Sequence, residues 1–410
     1  MECTWRVRAT LVLTALSVLI APASAGVTEE EALRVFLEQS PQARRPPVIE
    51  RAVDAALRAE TRIANPELSY QVEDAAGVRD EFLTFQQELP ITGRQGLLNE
   101  RARVAATVAA MDGQQALLGD VYGLKQAFYE VLYRQHVLEQ LRESGELLDR
   151  TVEILDKRER EGEGSGYDVL RAEQELAQLR MDVSEANAAL AAARALFGSF
   201  FDSGSSIATS TLEGDLQPTG TVPDVGNATR AALEQRLDLR SLSAQEKRLD
   251  LERRAANRRR IPEPVLTAGW KQTETLGLSD SGYVAAVTVP LPVFNRGRLS
   301  SARAAAEGER VELDREILTR RIRAEVETAI ARERALREAA EQYGADVERR
   351  ARDLNRIAQL KYDAGEGGIL DLLDAHRTSL TSQLRALATR HAAKVAEIER
   401  NRVIGNEVTP

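Results

Sequence analysis

The sequence predicts a mainly α-helical chain with a small β part, built as two copies of one unit. Three observations lead there: segments of the first half return in the second, each half holds a long proline-free stretch of helix formers, and each half carries one pair of short strands. Residues 37–67 align with 233–263, 89–103 with 291–305 and 162–172 with 365–375, in the same order and at offsets of 196, 202 and 203. A unit of this size is no solenoid repeat, which runs to roughly 20–50 residues. It implies two similar lobes about a pseudo-symmetric axis. The first unit is expected to span 26–224 and the second 225–410.

Residues 1–25 read as a secretory signal. Arg6 and Arg8 form a basic start, Leu11 to Ile20 an apolar run, and Ala23-Ser24-Ala25 a small-x-small cleavage site. The run is half of the ~20 residues a membrane span needs. The only cysteine, Cys3, leaves with the signal, so the exported chain has no disulfide and no thiolate chemistry. The whole chain carries −9, and losing Glu2, Arg6 and Arg8 leaves −10, which argues against a nucleic-acid partner. An exported chain without an apolar helix is either periplasmic or inserted as a β-barrel.

Each unit reads as helix, two strands, long helix, glycine turn, helix. Thr28-Glu29-Glu30-Glu31 is a capping-box start. Pro41, Pro46 and Pro47 are expected to break the helix that follows, with a new one over 48–64 ended by Asn65-Pro66. Leu68 to Glu73 alternates apolar and polar, Asp74 to Gly77 is turn chemistry, and Phe82 to Leu89 is a second strand. In the second unit the strands are placed at Val265–Thr273 and Tyr283–Val289, with the turn over Gly277 to Gly282. Residues 95–160 and 298–362 are proline-free and rich in Ala, Leu, Glu, Arg and Gln. At 1.5 Å per residue each rod is ~100 Å long, suited to a coiled coil or a tunnel wall. Each rod ends in glycines, and helices restart over 168–200 and 370–402 as αα-hairpins. Residues 202–224, rich in Ser, Thr, Gly and Pro, join the units.

Four strands with apolar alternation cannot stay as free edges. A membrane barrel needs about eight strands or more, so closure would take several copies. Tyr70, Phe82, Phe85, Trp270 and Tyr283 fall in the strands and are candidates for the membrane interface. A core sheet, where aromatics are also common, is the alternative reading of the same residues.

The order of elements, the duplication, Asn65-Pro66-Glu67 before the first strand, the strand-to-rod joints LPITGR and LPVFNRGR, and the hairpin tip GGILDLLDA at 367–375 together resemble the TolC family of outer-membrane efflux channels. The strand region resembles the cation-efflux, cobalt-zinc-cadmium branch. The resemblance covers nearly all of residues 28–405. It implies a homotrimer whose twelve strands form one barrel in outer-membrane lipid, with a helical tunnel projecting into the periplasm. The glycine turns would lie at the far end, where the tunnel closes and meets a periplasmic adaptor (membrane fusion) protein linked to an inner-membrane pump.

In that frame Asp371 and Asp374 match the acids of the family's D-x-L-D-A motif at the pore constriction, with Asp168 their first-unit counterpart; Arg171 replaces the second acid. Acids in a first helical turn also answer the helix dipole without any pore role. The implied adaptor contact comprises Gly162, Gly164, Gly166, Tyr167, Val169 and Leu170 on one tip and Gly365, Gly367, Gly368, Leu370 and Leu372 on the other. His136, His376 and His391 form no H-E-x-x-H pattern, so no metal site is expected, and no P-loop, nucleophile elbow or dinucleotide fingerprint is present. The expectation is a passive exit duct without enzyme activity or cofactor. A type I protein secretion component shares the fold, and a periplasmic coiled-coil scaffold would explain the rods but not the strands.

Overall fold

The computed structural model describes residues 26–202 and 204–405, so the expected signal segment lies outside the described residues. The order is α1 (Glu29–Gln39), α2 (Pro41–Glu60), β1 (Glu67–Ala75), β2 (Val78–Glu88), α3 (Arg94–Arg160), α4 (Gly166–Gly198), α5 (Val225–Gln235), α6 (Leu237–Arg258), β3 (Val265–Thr275), β4 (Leu278–Thr288), α7 (Arg298–Asp363) and α8 (Ile369–Ile404). The set from α1 to α4 therefore recurs element by element from α5 to α8. No described helix is long and apolar enough to cross a membrane.

The expected break at Pro46-Pro47 is absent. Helix α2 starts at Pro41 and runs through both prolines. Pro46 is buried, and a Cβ on Gly113 of α3 would lie 3.2 Å from it, so the ring fills the notch that Gly113 leaves. Tertiary packing offsets the lost backbone bonds that normally exclude proline from a helix interior.

Both hairpins are longer and tighter than the sequence pattern implies. Ala76-Gly77 and Leu276-Gly277 form the turns, all four residues at φ between 51° and 82°. Two residues at positive φ make a type I′ turn, whose twist matches that of the flanking strands. Residues 278–282, expected as turn, are therefore strand, and β2 starts four residues before Phe82. The strands pair antiparallel in the order β1-β2-β3-β4. The two units thus share one sheet through β2 and β3.

The helical core lies at mid-height, where α1 and the connector wrap α3, α4 and α8. Phe36, Phe128 and Phe197 are fully buried there with Leu124, Leu132 and Leu148. Val27 bridges Leu212 of the connector in parallel. A second core places Ala228 and Ala232 of α5 against Ile322, Val326 and Ile330 of α7 and Val403 and Ile404 of α8.

Candidate channel site: ladder, joints and hairpin tips

Register decides the two faces of the sheet. Tyr70 pairs with Leu83, Leu83 with Trp270 and Trp270 with Tyr283, so these four form one row across all strands. The row two residues on, toward the helices, is Leu68, Phe85, Ala268 and Ala285, followed by Gln87, Leu266 and Val287, with the Gln87 amide turned to Ala64 O and Glu88 O. Directly opposed residues share a face. One face is therefore an apolar band, with Trp270 edge-on to Tyr283 at 5.5 Å. It is exposed in the single chain: Leu68 is 73% accessible and Tyr283 89%.

The other face is polar. Ser69, Thr84, Gly269 and Val284 form one row, and Gln71, Phe82, Lys271 and Gly282 the next. Asp80 accepts from Lys271 Nζ at 2.7 Å and from Thr273 Oγ1 at 2.6 Å. Phe82 belongs to this face, half-buried, with Lys271 Nζ 5.0 Å from its ring centre. The five strand aromatics do not make one band. Phe82 is separated from the other four because it sits at odd spacing from Phe85, and the period of a strand is two.

Strands pass into rods by the same device twice. Ile91 N donates to Leu89 O, and Val293 N to Leu291 O, both at 2.8 Å, each a tight turn around a proline. The rods then start from Gly93 (φ 71°) and Gly297 (φ 73°). The sequence offset of 202 pairs Gly93 with Asn295 instead. The second joint holds two extra residues between its proline turn and its glycine.

At the tips, Glu163 N donates to Arg158 O and Glu366 N to Lys361 O, both at 2.9 Å, around Gly162 (φ 79°) and Gly365 (φ 73°). This is the Schellman closure, in which a left-handed residue lets the chain satisfy orphan carbonyls. Gly164 is required by proximity as well: a Cβ there would lie 2.8 Å from Glu159 N. Asp168 and Asp371 occupy the same third helical position of α4 and α8, and neither helix has a side-chain cap. Asp371 and Asp374 are exposed one turn apart, and Asp374 pairs with Arg377 at 3.4 Å. Tyr167, Leu170 and Leu370 are exposed. Val169 and Leu372, expected among the adaptor-contact residues, are buried at 7% and 4% accessibility. Their helical phase turns them into the hairpin core, where they seal the tip rather than present it.

Sequence reasoning missed an ionic knot at mid-height. Glu333 of α7 is fully buried and pairs with Arg337 Nη2 and with Arg400 Nε of α8, each at 3.0 Å. Glu397 pairs with Lys394 at 2.8 Å and accepts from Thr219 N at 2.8 Å. Arg337 Nη1 donates to Gly220 O at 2.5 Å, so the connector is latched by the same groups. Lys394 lies over the Tyr129 ring, and Tyr129 donates to Glu29, which pairs with Lys125. Burial raises the Glu333 pKa despite both arginines. Burial also works to raise that of Glu29, but Lys125 and Tyr129 overcome it and hold the group below its ordinary value. In the sequence these groups stand at i, i+3 and i+4, a spacing equally common on solvated helix faces. Nearer the tip on the same helix α8, His376 Nε2 lies 2.7 Å from Ser144 Oγ, and burial lowers its pKa. The described residues hold no cluster of three or more acids, histidines or cysteines able to bind a metal.

Residues 228–406 match the outer membrane efflux protein family. That match covers 179 of the 410 residues, nearly all of the second unit. Its sequence is 26% identical over 360 residues to the cobalt-zinc-cadmium resistance protein CzcC of Cupriavidus metallidurans, covering 84% of this chain and 81% of that one. Among solved structures it is similar to a membrane protein from Pseudomonas aeruginosa, with a TM-score of 0.76 at 16% identity over 92% of this chain and 93% of that one. It is also similar to the CmeC outer membrane channel of Campylobacter jejuni, with a TM-score of 0.75 at 13% identity over 98% and 94%. The fold is that of these solved outer-membrane proteins, long helical hairpins with a small antiparallel sheet.

Proposed function

We propose that this protein is an outer-membrane efflux channel that works as a homotrimer, as the exit duct of a tripartite system that expels metal cations. One observation carries the oligomer: a four-stranded sheet whose one face is an exposed apolar band and whose outer strands β1 and β4 are paired only on their inner sides among the described residues. In hydrocarbon every backbone group must find a partner, so the ladder has to close. Pairing β4 of one copy with β1 of the next gives twelve strands for three copies, within the even range of such barrels. The polar face with Asp80, Lys271 and Thr273 then lines the lumen.

The tips form the far end. Tyr167, Leu170 and Leu370, beside the glycine turns, offer an adaptor protein apolar contacts on rigid helix starts, and the adaptor connects to an inner-membrane pump. Asp371 and Asp374, exposed on one face of α8, would ring the mouth with up to six carboxylates from three copies, and Asp168 adds to that ring. A narrow opening lined by one sign of charge concentrates counter-ions, which suits a cation cargo. Likeness to the cobalt-zinc-cadmium resistance protein supports the same cargo class.

Two measurements test the reading. The detergent-extracted protein should have the mass of three chains; a monomer that keeps its β signal overturns the trimer. A deletion strain should lose resistance to divalent metals and not to hydrophobic drugs, and the reverse pattern overturns the cargo.

A further inference from the structure

The apolar band on the sheet is too short for a membrane. From Tyr283 to Val287 it runs four residues, ~14 Å at ~3.4 Å per residue and less after strand tilt, against an outward apolar belt ~25 Å tall. Beyond the aromatic row, toward the turns, the same face carries Val72 with Glu81, Gln272 and Ser281, then Asp74, Arg79, Glu274 and Ser279; one valine among seven polar residues does not extend the belt. The missing height lies at the other end. Val289 and Leu291 continue the parity of Tyr283, Ala285 and Val287, and Leu89 and Ile91 that of Leu83 and Phe85. Ile91 and Val293, equivalent residues of the two proline turns, are 67% and 58% accessible, and Phe294 is wholly exposed. Reaching Leu291 brings the run to eight residues, ~20–27 Å with tilt. The joints therefore belong to the membrane, at the leaflet nearest the helices.

That same level is rich in arginine. Arg94, Arg258 and Arg259 line a cleft with Ile261, Pro290 and Phe294. Arg260 and Arg298 flank it, exposed. None of these five side chains has an ion-pair partner among the described residues. The two acids in the cleft are Glu88 and Glu263, and Glu263 accepts from Thr92 Oγ1 at 2.6 Å. Guanidinium groups above exposed aliphatic and aromatic side chains match a phospholipid, with its phosphate beside acyl chains.

We propose that this joint is a binding site for anionic phospholipid of the periplasmic leaflet, with Arg258 and Arg259 donating to the headgroup phosphate and Val293 and Phe294 set among the acyl chains. It rests on the barrel reading above, and the two can be separated. Trp270, the only tryptophan beyond residue 25, sits in the apolar band, so quenching of its fluorescence by brominated acyl chains reports barrel insertion by itself.

The test places the full-length protein in nanodiscs of phosphatidylglycerol with phosphatidylethanolamine. Lipids retained after detergent extraction are then counted by native mass spectrometry. The unaltered protein should retain phosphatidylglycerol above its share in the disc, and less of it as salt rises. Arg258→Gln with Arg259→Gln should bind it roughly thirty-fold more weakly, at about fivefold per charge, with Trp270 quenching unchanged. Equal retention by both proteins, or no enrichment in the unaltered one, overturns the site while leaving the barrel intact. Phe294→Ser gives the second arm. If it lowers the oligomeric mass and leaves lipid retention unchanged, the patch is a seam between copies and the proposal fails. Loss of Trp270 quenching in the unaltered protein would instead overturn the barrel reading beneath it.

Discussion

The two rods start from glycines that look equivalent and are predicted to respond differently to one added methyl group. Gly93 and Gly297 both sit near φ 72°, at 71° and 73°. An alanine in that conformation costs ~1–2 kcal/mol at either site. The surroundings differ. A Cβ on Gly93 meets nothing within 4 Å, whereas one on Gly297 would lie 2.0 Å from Ala256 O at the end of α6. Ordinary contact begins at 3.4 Å, so that carbonyl would have to retreat by more than an ångström. Ala256 is buried and its carbonyl accepts from Arg259 N, so the retreat disturbs the end of α6. Overpacking of this kind adds ~1–3 kcal/mol. Gly93→Ala should therefore cost ~1–2 kcal/mol and Gly297→Ala ~2–5 kcal/mol. Thermal melts of the detergent-extracted proteins, followed by circular dichroism, would rank them. Gly297→Ala should also be the scarcer in the outer membrane. Equal melting temperatures, or a lower one for Gly93→Ala, would refute the account of the second joint.

Four further outcomes follow from geometry already described. Arginine at Tyr70, Leu266 or Val287 should reduce insertion by ~2–4 kcal/mol near the midplane, while arginine at Thr84 on the polar face should be tolerated; heat-modifiable mobility on gels reads both, and equal loss would mean the faces are misassigned. Arg337→Met leaves Glu333 and Glu397 buried with less compensating charge and should cost ~3–5 kcal/mol, measured by urea unfolding, with Glu333→Gln recovering part of it in the double variant. Asp371→Ala with Asp374→Ala should weaken block of single-channel current by a divalent cation added on the tip side, with the oligomer unchanged; lowered thermal stability with unaltered block would leave the acids as partners of the helix dipole alone. His376 has a folded pKa below its free value of 6.5, so the fold prefers the neutral ring. Its contribution is present above pH 6.5 and is lost as pH falls through the folded value. His376→Asn should flatten the melting temperature between pH 5 and 6.5, and an unchanged profile would remove His376 from the acid response.

What could be read in the sequence was what repeats with a period. The rods declared themselves through long stretches without proline, and their ends through glycines that permit φ above zero. Residues 278–282 misled because serine, aspartate and glycine are turn formers in isolation. The turn that fixes the hairpin is the pair Leu276-Gly277, and a leucine at positive φ announces nothing. Pro46 and Pro47 misled for a related reason, since the notch at Gly113 that accepts the ring lies on another helix. Phe82 was placed with the other aromatics by composition; only its register against Lys271 sets it apart. At the tips, the identity of Val169 and Leu372 was legible but their phase was not. The knot around Glu333 joins local pairs on α7 and α8 that meet only in the fold, and no local pattern distinguishes such an arginine from one in water.

The shared sheet has a further consequence. Two hairpins and two helical pairs per chain mean that three chains would place six units of similar fold around one axis. Such a frame would be six-fold in geometry and three-fold in chemistry. Seams between neighbouring units then come in two kinds that alternate around the ring, one joined by the β2–β3 pairing inside a chain and one by contact between chains. A substitution in one half alters every second unit and leaves the intervening three as they were. Such a ring would carry two kinds of unit at once, one built around the aromatic core of α3 and one on the charge-rich α7.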